Sequence, residues 1–426
     1  MKIIWLITYN LFFLPLIFLI AIVLSIFKRK VREAIFCRIG EIKKTKKFFS
    51  NIDNNKLIYW FHSASHGEFE QISPILHSLK EIHRGCIVVV SFSSPSGYKN
   101  VNNHNIDLKI YLPLDFLWNT TRILKVVRPQ KLIFAEYDLW PNYIWTAKWM
   151  NIQTTLFSAR FYKKTIKLRP IIKNFYKNVY SSVSAIYTIS ELDHVNLKKV
   201  LIRNYSGVLR VLGSPRYDRV KNIRPELNQN NKNKYNFKRP FRLVAGSMWP
   251  DDDQIILEPL IQLALKIDEF SFTWVPHEPD LKYIKQINKK LSSAGLNPEL
   301  LSRVDTGVNP KYIIIDKIGY LSRHYWDAKF AYIGGGFSTG VHNVMEPAIA
   351  SLPIIFGPKY HNSHTAEELI KSGGGFNINT RNEFLNVMNK LIKDENFCSN
   401  SSVASSEVIY NNLGSSSRVV RGIISD

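Results

Sequence analysis

Two doubly wound, Rossmann-like α/β domains facing each other across a cleft, preceded by one N-terminal transmembrane helix, are the fold class that three observations predict. Short apolar runs alternate with helical patterns along most of the chain, as parallel βαβ units require. A stretch rich in Asn and Lys, residues 222–240, divides those runs into two sets. Residues 3–27 contain no charged side chain, which suffices for the roughly 20 residues a bilayer core demands.

The N-terminal stretch is too long for the apolar region of a cleaved signal peptide, about 7–15 residues, and it ends in Phe27-Lys28-Arg29-Lys30 rather than in small residues. It reads as an uncleaved anchor, residues 1–27. The basic residues at 28–47 then place themselves and the following body on the cytoplasmic side. Pro15, Trp5 and Tyr9 leave room for a tilted or half-inserted helix. In the first domain, residues 28–221, strands are predicted at 57–61, 86–90, 131–135 and 185–189. In the second, residues 241–426, they are predicted at 242–245, 272–275, 312–315, 330–333 and 353–356. Residues 222–240, with Pro225 and Pro240 and little apolar periodicity, read as the linker. In such sheets, ligands sit where the loops after the strands converge.

Three cysteines, Cys37, Cys86 and Cys398, form no CxxC pair, so neither a disulfide framework nor a Cys-rich zinc site is available. The charge is uneven. Of a formal net +23, residues 28–47 carry +7 and residues 151–240 carry +15, while the rest of the body nearly cancels. A disordered polycation would spread its charge throughout, and the apolar content excludes disorder for most of the chain.

Four stretches carry chemistry. The first runs from a strand through Ser63-Ala64-Ser65-His66-Gly67-Glu68 into a helix ending near Ile82. Glu68 falls in that helix's first turn, where the helix dipole is expected to keep it ionised. It is either an ordinary helix-start carboxylate or a general base for a hydroxyl nucleophile. His62 and His66 beside it read as anion ligands or, more simply, as surface histidines.

The second stretch, Gly334-Gly335-Gly336, opens from a strand towards His342, Asn343 and Glu346, where a following helix is expected to attract a phosphate and Glu346 to accept from ribose hydroxyls. The third comprises Gly246-Ser247-Met248-Trp249 with Asp251 to Asp253, and Pro276-His277. The aspartates suit a helix's first turn better than a metal site. In the fourth, Glu136 and Asp138 follow a strand two residues apart and shape a pocket or simply bond neighbouring turns.

Taken in order, these motifs resemble the 3-deoxy-D-manno-octulosonic acid (Kdo) transferase family, membrane-anchored enzymes of the GT-B fold. The resemblance takes in the apolar N-terminus, Ser65 to Glu68, Ser94 to Gly97, Tyr111 to Asp115, Glu136 to Asn142 and Ser158-Ala159-Arg160. It continues through Gly213 to Asp218, Gly246-Ser247, Pro276-His277, Asp316, Gly319-Tyr320-Leu321, Gly334 to Pro347 and Gly357-Pro358.

The resemblance implies that CMP-Kdo is the donor substrate, that no metal or resident cofactor is bound, and that the anomeric configuration inverts. It makes the glucosamine disaccharide of a lipid A precursor the acceptor. It assigns the catalytic base to Glu68, and donor binding to Gly246, Ser247, Pro276, His277, Gly335, Gly336, His342, Asn343 and Glu346. Acceptor binding falls on Ser65, Gly67, Glu136, Asp138 and Arg160, joined by Lys163 and Lys164 of the basic block. The sequence departs from the family pattern at His277-Glu278, where a basic pair is usual, at Trp249, where His is common, and at Val341, in place of glycine.

The implied setting is the cytoplasmic face of a cell inner membrane. There the +7 block lies against anionic phospholipid, and the +15 block, with Arg169, Lys173 and Lys177, meets lipid and the acceptor's phosphates. A GT-B enzyme using another nucleotide sugar is the rival within the class. A membrane-tethered nucleic-acid binder leaves the anchor and the nucleotide-sugar motifs unexplained, so no nucleic-acid partner is expected.

Overall fold

The computed structural model describes residues 2–53, 55–161, 169–221, 239–305 and 307–426. Lys163, Lys164 and most of the expected linker, residues 222–238, lie outside the described residues. The chain forms two units: Met1–Arg219 with Leu413–Asp426, and Val220–Asn412.

Among the described residues, the first unit carries a seven-stranded sheet whose strand pairs are all parallel. Its strands are β1 (Ile58–Ser63), β2 (Ile87–Phe92), β3 (Leu108–Tyr111), β4 (Lys131–Ala135), β5 (Gln153–Ala159), β6 (Ala185–Thr188) and β7 (Val208–Val211), in the order 3-2-1-4-5-6-7. The order reverses between β1 and β4, so the loops leaving their carboxyl ends diverge to opposite faces and open a crevice. Helices cover both faces, which is why β1 is buried throughout rather than alternating. Trp60 belongs to one core, with Leu132, Phe134 and Tyr143; its neighbour Phe61 belongs to the other, with Ile72, Leu76 and Val90.

The second unit repeats the plan. Its strands are β8 (Arg242–Met248), β9 (Ser271–Pro276), β10 (Glu299–Leu300), β11 (Tyr312–Ile314), β12 (Phe330–Ile333), β13 (Ile354–Phe356) and β14 (Gly375–Asn377). They lie in the order 10-11-9-8-12-13-14, again all parallel, and the reversal falls between β8 and β12. Trp274, Phe272 and Tyr332 centre its core.

The nine strands expected from apolar runs are all present, with ends shifted by up to three residues. Five escaped the sequence pattern: β3, β5, β7, β10 and β14. The other correction concerns the C-terminus. The sequence assigns everything from residue 241 to the second domain, yet the helix Ser415–Ser425 packs in the first unit. Its Val419, Val420 and Ile423 complete the core around Phe61 and Tyr187. Asp218 receives the Gly414 and Ser416 amides at 2.6 Å each, and Tyr187 donates to Asp426 at 2.9 Å.

The apolar N-terminus is helical from Lys2 to Phe27, with one π-turn at Tyr9–Phe13. Lys28, extended at φ −117° and ψ 107°, ends it, and the helices Arg29–Phe36 and Glu41–Phe49 return the chain to the body. There the Arg38 guanidinium donates to the Leu112 and Ser93 carbonyls, both at 2.8 Å.

Candidate functional site

In both units most of the singled-out residues follow the carboxyl ends of the two strands that flank the reversal, while Arg160 follows β5 and Pro276 and His277 lie at the end of β9. Three of them or their neighbours, Glu136, Ser158 and Ser247, take positive φ (54°, 53° and 56°) without being glycine. Strained backbone of this kind costs of order 1–3 kcal/mol per residue and concentrates where a side chain must be aimed.

In the first unit, β1 ends at Ser63 and the helix His66–Ile82 begins two residues later. Ser65 caps it, its Oγ accepting from the Glu68 amide at 3.4 Å, while Glu68 Oε2 turns back to accept the Ala64 amide at 2.6 Å. This reciprocal pairing satisfies two otherwise orphaned donors and fixes the carboxyl on the strand-to-helix turn. The helix start does not hold Glu68 ionised as the sequence suggests. Burial pushes its pKa up to about 7, against the pull of the Ala64 amide and with a further push from the negative charges of Asp138 and Glu136. Desolvation wins because a helix terminus contributes only about 0.3–1 kcal/mol. A Cβ on Gly67 would meet only Ser65 Oγ, at 3.9 Å, so no packing in the unit demands glycine there.

Glu136 and Asp138 leave β4 in different directions. Glu136 pairs with Arg216 at 2.9 Å and accepts from Gln71 Nε2 at 2.7 Å. Asp138 lies 2.9 Å from His62 Nε2, and Ser93 Oγ donates to it at 3.3 Å. Burial pushes the Asp138 carboxyl up, but the bonds from His62, Trp140 and Ser93 outweigh it and hold the group below its usual range. His62 is therefore no surface residue: it is buried in β1, with Nδ1 2.9 Å from Ser91 Oγ. His66 is exposed, 3.5 Å from Glu70. Arg160 is buried just beyond β5, behind the irregularity that shifts register against β6.

In the second unit, Asp252 ties the two strand ends together. Its carboxylate accepts the Trp249 amide at 3.1 Å, the Gly335 amide at 2.8 Å and the Tyr332 hydroxyl at 2.8 Å. The aspartates thus occupy the first turn of the helix Pro250–Lys266, and no group of three or more metal-ligating side chains gathers among the described residues. Gly335, at φ +90°, could carry a Cβ only 2.8 Å from the His342 ring, and Gly336 only 2.5 Å from the Gly357 amide. The glycines therefore let β12's exit lie flat against the neighbouring turn. Gly246 lies under the Tyr325 hydroxyl, and Ser247 sits at the β8 irregularity.

Three rings then stack. His277, one residue past Pro276 at the end of β9, has its centroid 4.6 Å from Trp249 and 4.2 Å from His342. The Trp249 indole N–H donates to His342 Nε2 at 2.9 Å. An indole can only donate, so Nε2 is an acceptor and the ring's proton lies on Nδ1. Burial, reinforced by His277, pushes the His342 pKa down to about 4, leaving the ring a neutral donor. Asn343 Oδ1 accepts the Met345 amide at 3.0 Å, and its Nδ2 donates to Glu346 Oε1 at 2.9 Å.

The helix expected there to attract a phosphate is only Met345–Ile349, too short for an appreciable dipole. The cation at this turn is instead Lys359, exposed, its Nζ 2.8 Å from the Ser338 carbonyl. Neither Lys359 nor Arg216 stood out in the sequence. Arg216 lies within the motif Gly213 to Asp218, and Lys359 directly follows Gly357-Pro358.

Residues 34–219 match the family model described as 3-deoxy-D-manno-octulosonic-acid transferase (kdotransferase). The chain is 27% identical over 331 residues to a 3-deoxy-D-manno-octulosonic acid transferase of Chlamydophila psittaci, covering 75% of this chain and 73% of that one. It is 26% identical to the Aquifex aeolicus protein of the same description, covering 82% and 90%. In fold it is similar to the Neisseria meningitidis UDP-GlcNAc 2-epimerase bound to UDP-GlcNAc, with TM-score 0.60 and 13% identity over 87% of this chain and all of that one.

Proposed function

We propose that the chain is a glycosyltransferase of the Kdo transferase family and that it transfers Kdo from CMP-Kdo to the glucosamine disaccharide of a lipid A precursor, inverting the anomeric carbon and releasing CMP. The observation that carries this reading is the Glu68 carboxyl, fixed on the β1 turn by Ser65 and Ala64, with a pKa of about 7. A general base works best when its pKa lies near the operating pH, because it is then both available and basic enough to take a proton.

In the proposed reaction an acceptor hydroxyl oxygen bonds to the anomeric carbon while the bond from that carbon to the CMP phosphate oxygen breaks, its electron pair leaving with CMP. The hydroxyl proton goes to Glu68. The open space beside Gly67 admits the acceptor, and Glu136 and Asp138, held by Arg216 and His62, keep the turn's negative charge in place. That charge also favours the oxocarbenium-like carbon. On the donor side, the His342 Nδ1–H, the Asn343–Glu346 pair and Lys359 are the groups we assign to CMP-Kdo, with Gly335 and Gly336 letting the β12 turn pack into the shape that presents them. Arg160, Lys163 and Lys164 are assigned to the acceptor.

No resident cofactor enters this scheme; CMP-Kdo is consumed as substrate. A chelator should leave the rate of CMP release unchanged, and a rate restored only by added divalent metal would overturn that part. We place the reaction at the cytoplasmic face of an inner membrane. Phe175 supports this placement: its helix, Pro170–Tyr180, carries Lys173 and Lys177 and packs against Trp5 and Tyr9 of the apolar N-terminus. The deciding experiment is incubation of the purified protein with CMP-Kdo and a lipid A precursor, with mass analysis of the product. Adducts of Kdo mass support the reading, and release of UDP from a UDP-sugar in their place sinks it.

A further inference from the structure

We propose that the N-terminal apolar helix lies in the plane of a single lipid leaflet, docked lengthwise on the first unit, with both of its ends on the same side of the membrane. This rests on the reading of the protein as membrane-bound. It goes beyond that reading, because residues 3–27 are long enough to cross a bilayer.

The docking stripe is Trp5, Tyr9, Leu14 and Phe18. Trp5 packs edge-on against Phe175 at 5.7 Å, and Tyr9 against Trp145 at 5.8 Å. Leu14 is buried, and Phe18 meets Phe116 at 5.3 Å. The steps along this stripe are four, five and four residues. A step of five rotates a side chain away from the shared face of an α-helix. Here that step falls within the π-turn Tyr9–Phe13, whose wider turn keeps Leu14 and Phe18 in line with Trp5 and Tyr9.

Polar bonds lock the same stretch. The Tyr9 hydroxyl donates to Asp115 at 2.9 Å, and the amides of Asn10 and Asn142 donate to each other at 2.9 and 2.8 Å. Asn142 sits at the start of the helix Pro141–Trp149, and Asp115 receives that helix's Asn142 and Tyr143 amides, so both partners belong to the body's own framework.

Length then decides between crossing and lying flat. With residues 5–18 held against the body, only residues 19–27 are clear of it, about 14 Å of helix at 1.5 Å per residue. A hydrocarbon core is roughly 30 Å thick. Lys28 breaks the helix immediately afterwards, and Arg38 and Glu41 are bonded to the same body, at Leu112, Ser93 and Tyr111.

The helix's outer side is apolar and open: Phe12, Ile17, Ile20 and Phe27 are 50–78% exposed. That surface continues through Phe116 to Trp118, which stack at 4.4 Å. A leaflet matches this chemistry: acyl chains meet the apolar side, and anionic headgroups meet Arg29 and Arg32 beyond the helix end.

The test is an epitope tag with a protease site fused ahead of Met1 of the full-length protein. Protease is added to intact spheroplasts and, separately, to inverted inner-membrane vesicles. The expected result is a protected tag in spheroplasts and a cleaved tag in vesicles; cleavage in spheroplasts overturns the proposal. Cysteines replacing Asn10 and Asn142 should cross-link through a short bis-maleimide in membranes, and failure to cross-link while the protein remains folded and membrane-bound overturns the docking. Recovery of the whole chain from the soluble fraction sinks the membrane reading beneath it. None of these readouts depends on transfer activity, so the identity of the donor is tested separately.

Discussion

Glu68 pays a desolvation penalty that the sequence does not disclose. Its place in a helix's first turn is legible from Ser65-His66-Gly67-Glu68, but the burial that raises its pKa to about 7 comes from packing distant in sequence. The sign of the consequence is definite. Because the folded pKa lies above the ordinary 4.5, Glu68 favours the folded state fully below about pH 4.5, and that contribution is lost as pH rises through 7. Activity runs the other way, so kcat/KM should climb with pH through about 7. Glu68→Gln keeps an oxygen for the Ala64 amide, so it should cost 10²- to 10⁴-fold in turnover with donor affinity nearly unchanged. By thermal melting at pH 8 the variant should be at least as stable as the parent, and a lower melting point would contradict the burial argument. A second residue-scale outcome concerns Trp249. Trp249→Phe removes the donor to His342 Nε2, so ¹⁵N NMR of labelled histidine should show the proton shifting towards Nε2, with donor KM raised several-fold and kcat little changed. An unaltered tautomer would dismiss the positioning role.

Elements were legible where their residues were uniformly apolar. Val88, Val89 and Val90 announce a buried strand, whereas β5 reads Gln-Thr-Thr-Leu-Phe-Ser-Ala and is equally buried from Thr154 onward. Its threonines suit a pleated surface but break the apolar run that signals one. β14, only Gly375–Asn377, is too short for any periodicity. The run from Asp251 to Asp253 reads as a helix start and forms one, but nothing in it discloses the role of its middle member, which receives three donors from two strand ends. Asp252→Ala should cost on the order of 3 kcal/mol, read as a shift in the urea midpoint, since it strands the buried Gly335 amide and Tyr332 hydroxyl. An unchanged midpoint would mean that water replaces the carboxylate.

At the scale of the whole molecule, alternation of strand and helix was enough to predict two doubly wound sheets, and the apolar run was enough to predict a long apolar N-terminal helix. Where the last helix goes was not legible, because Val419, Val420 and Ile423 would suit an amphipathic face in either unit. Ile423→Ala should destabilise the first unit by about 2–5 kcal/mol, and the loss should appear in hydrogen exchange of β1 and β2 rather than of β8 and β12. Protection lost from the second sheet instead would reverse that assignment.

Because Leu413–Asp426 belongs with Met1–Arg219, the second unit is an insertion within the first, and this orders events on the ribosome. Domains generally fold as they emerge. Here the apolar helix and seven parallel strands leave the exit tunnel early, while the segment that closes their core is synthesised only after the inserted unit. The inserted unit is contiguous and can finish folding while its host is still incomplete. A nascent chain halted before residue 413 should therefore hold a protease-resistant second unit beside a first unit still open to digestion.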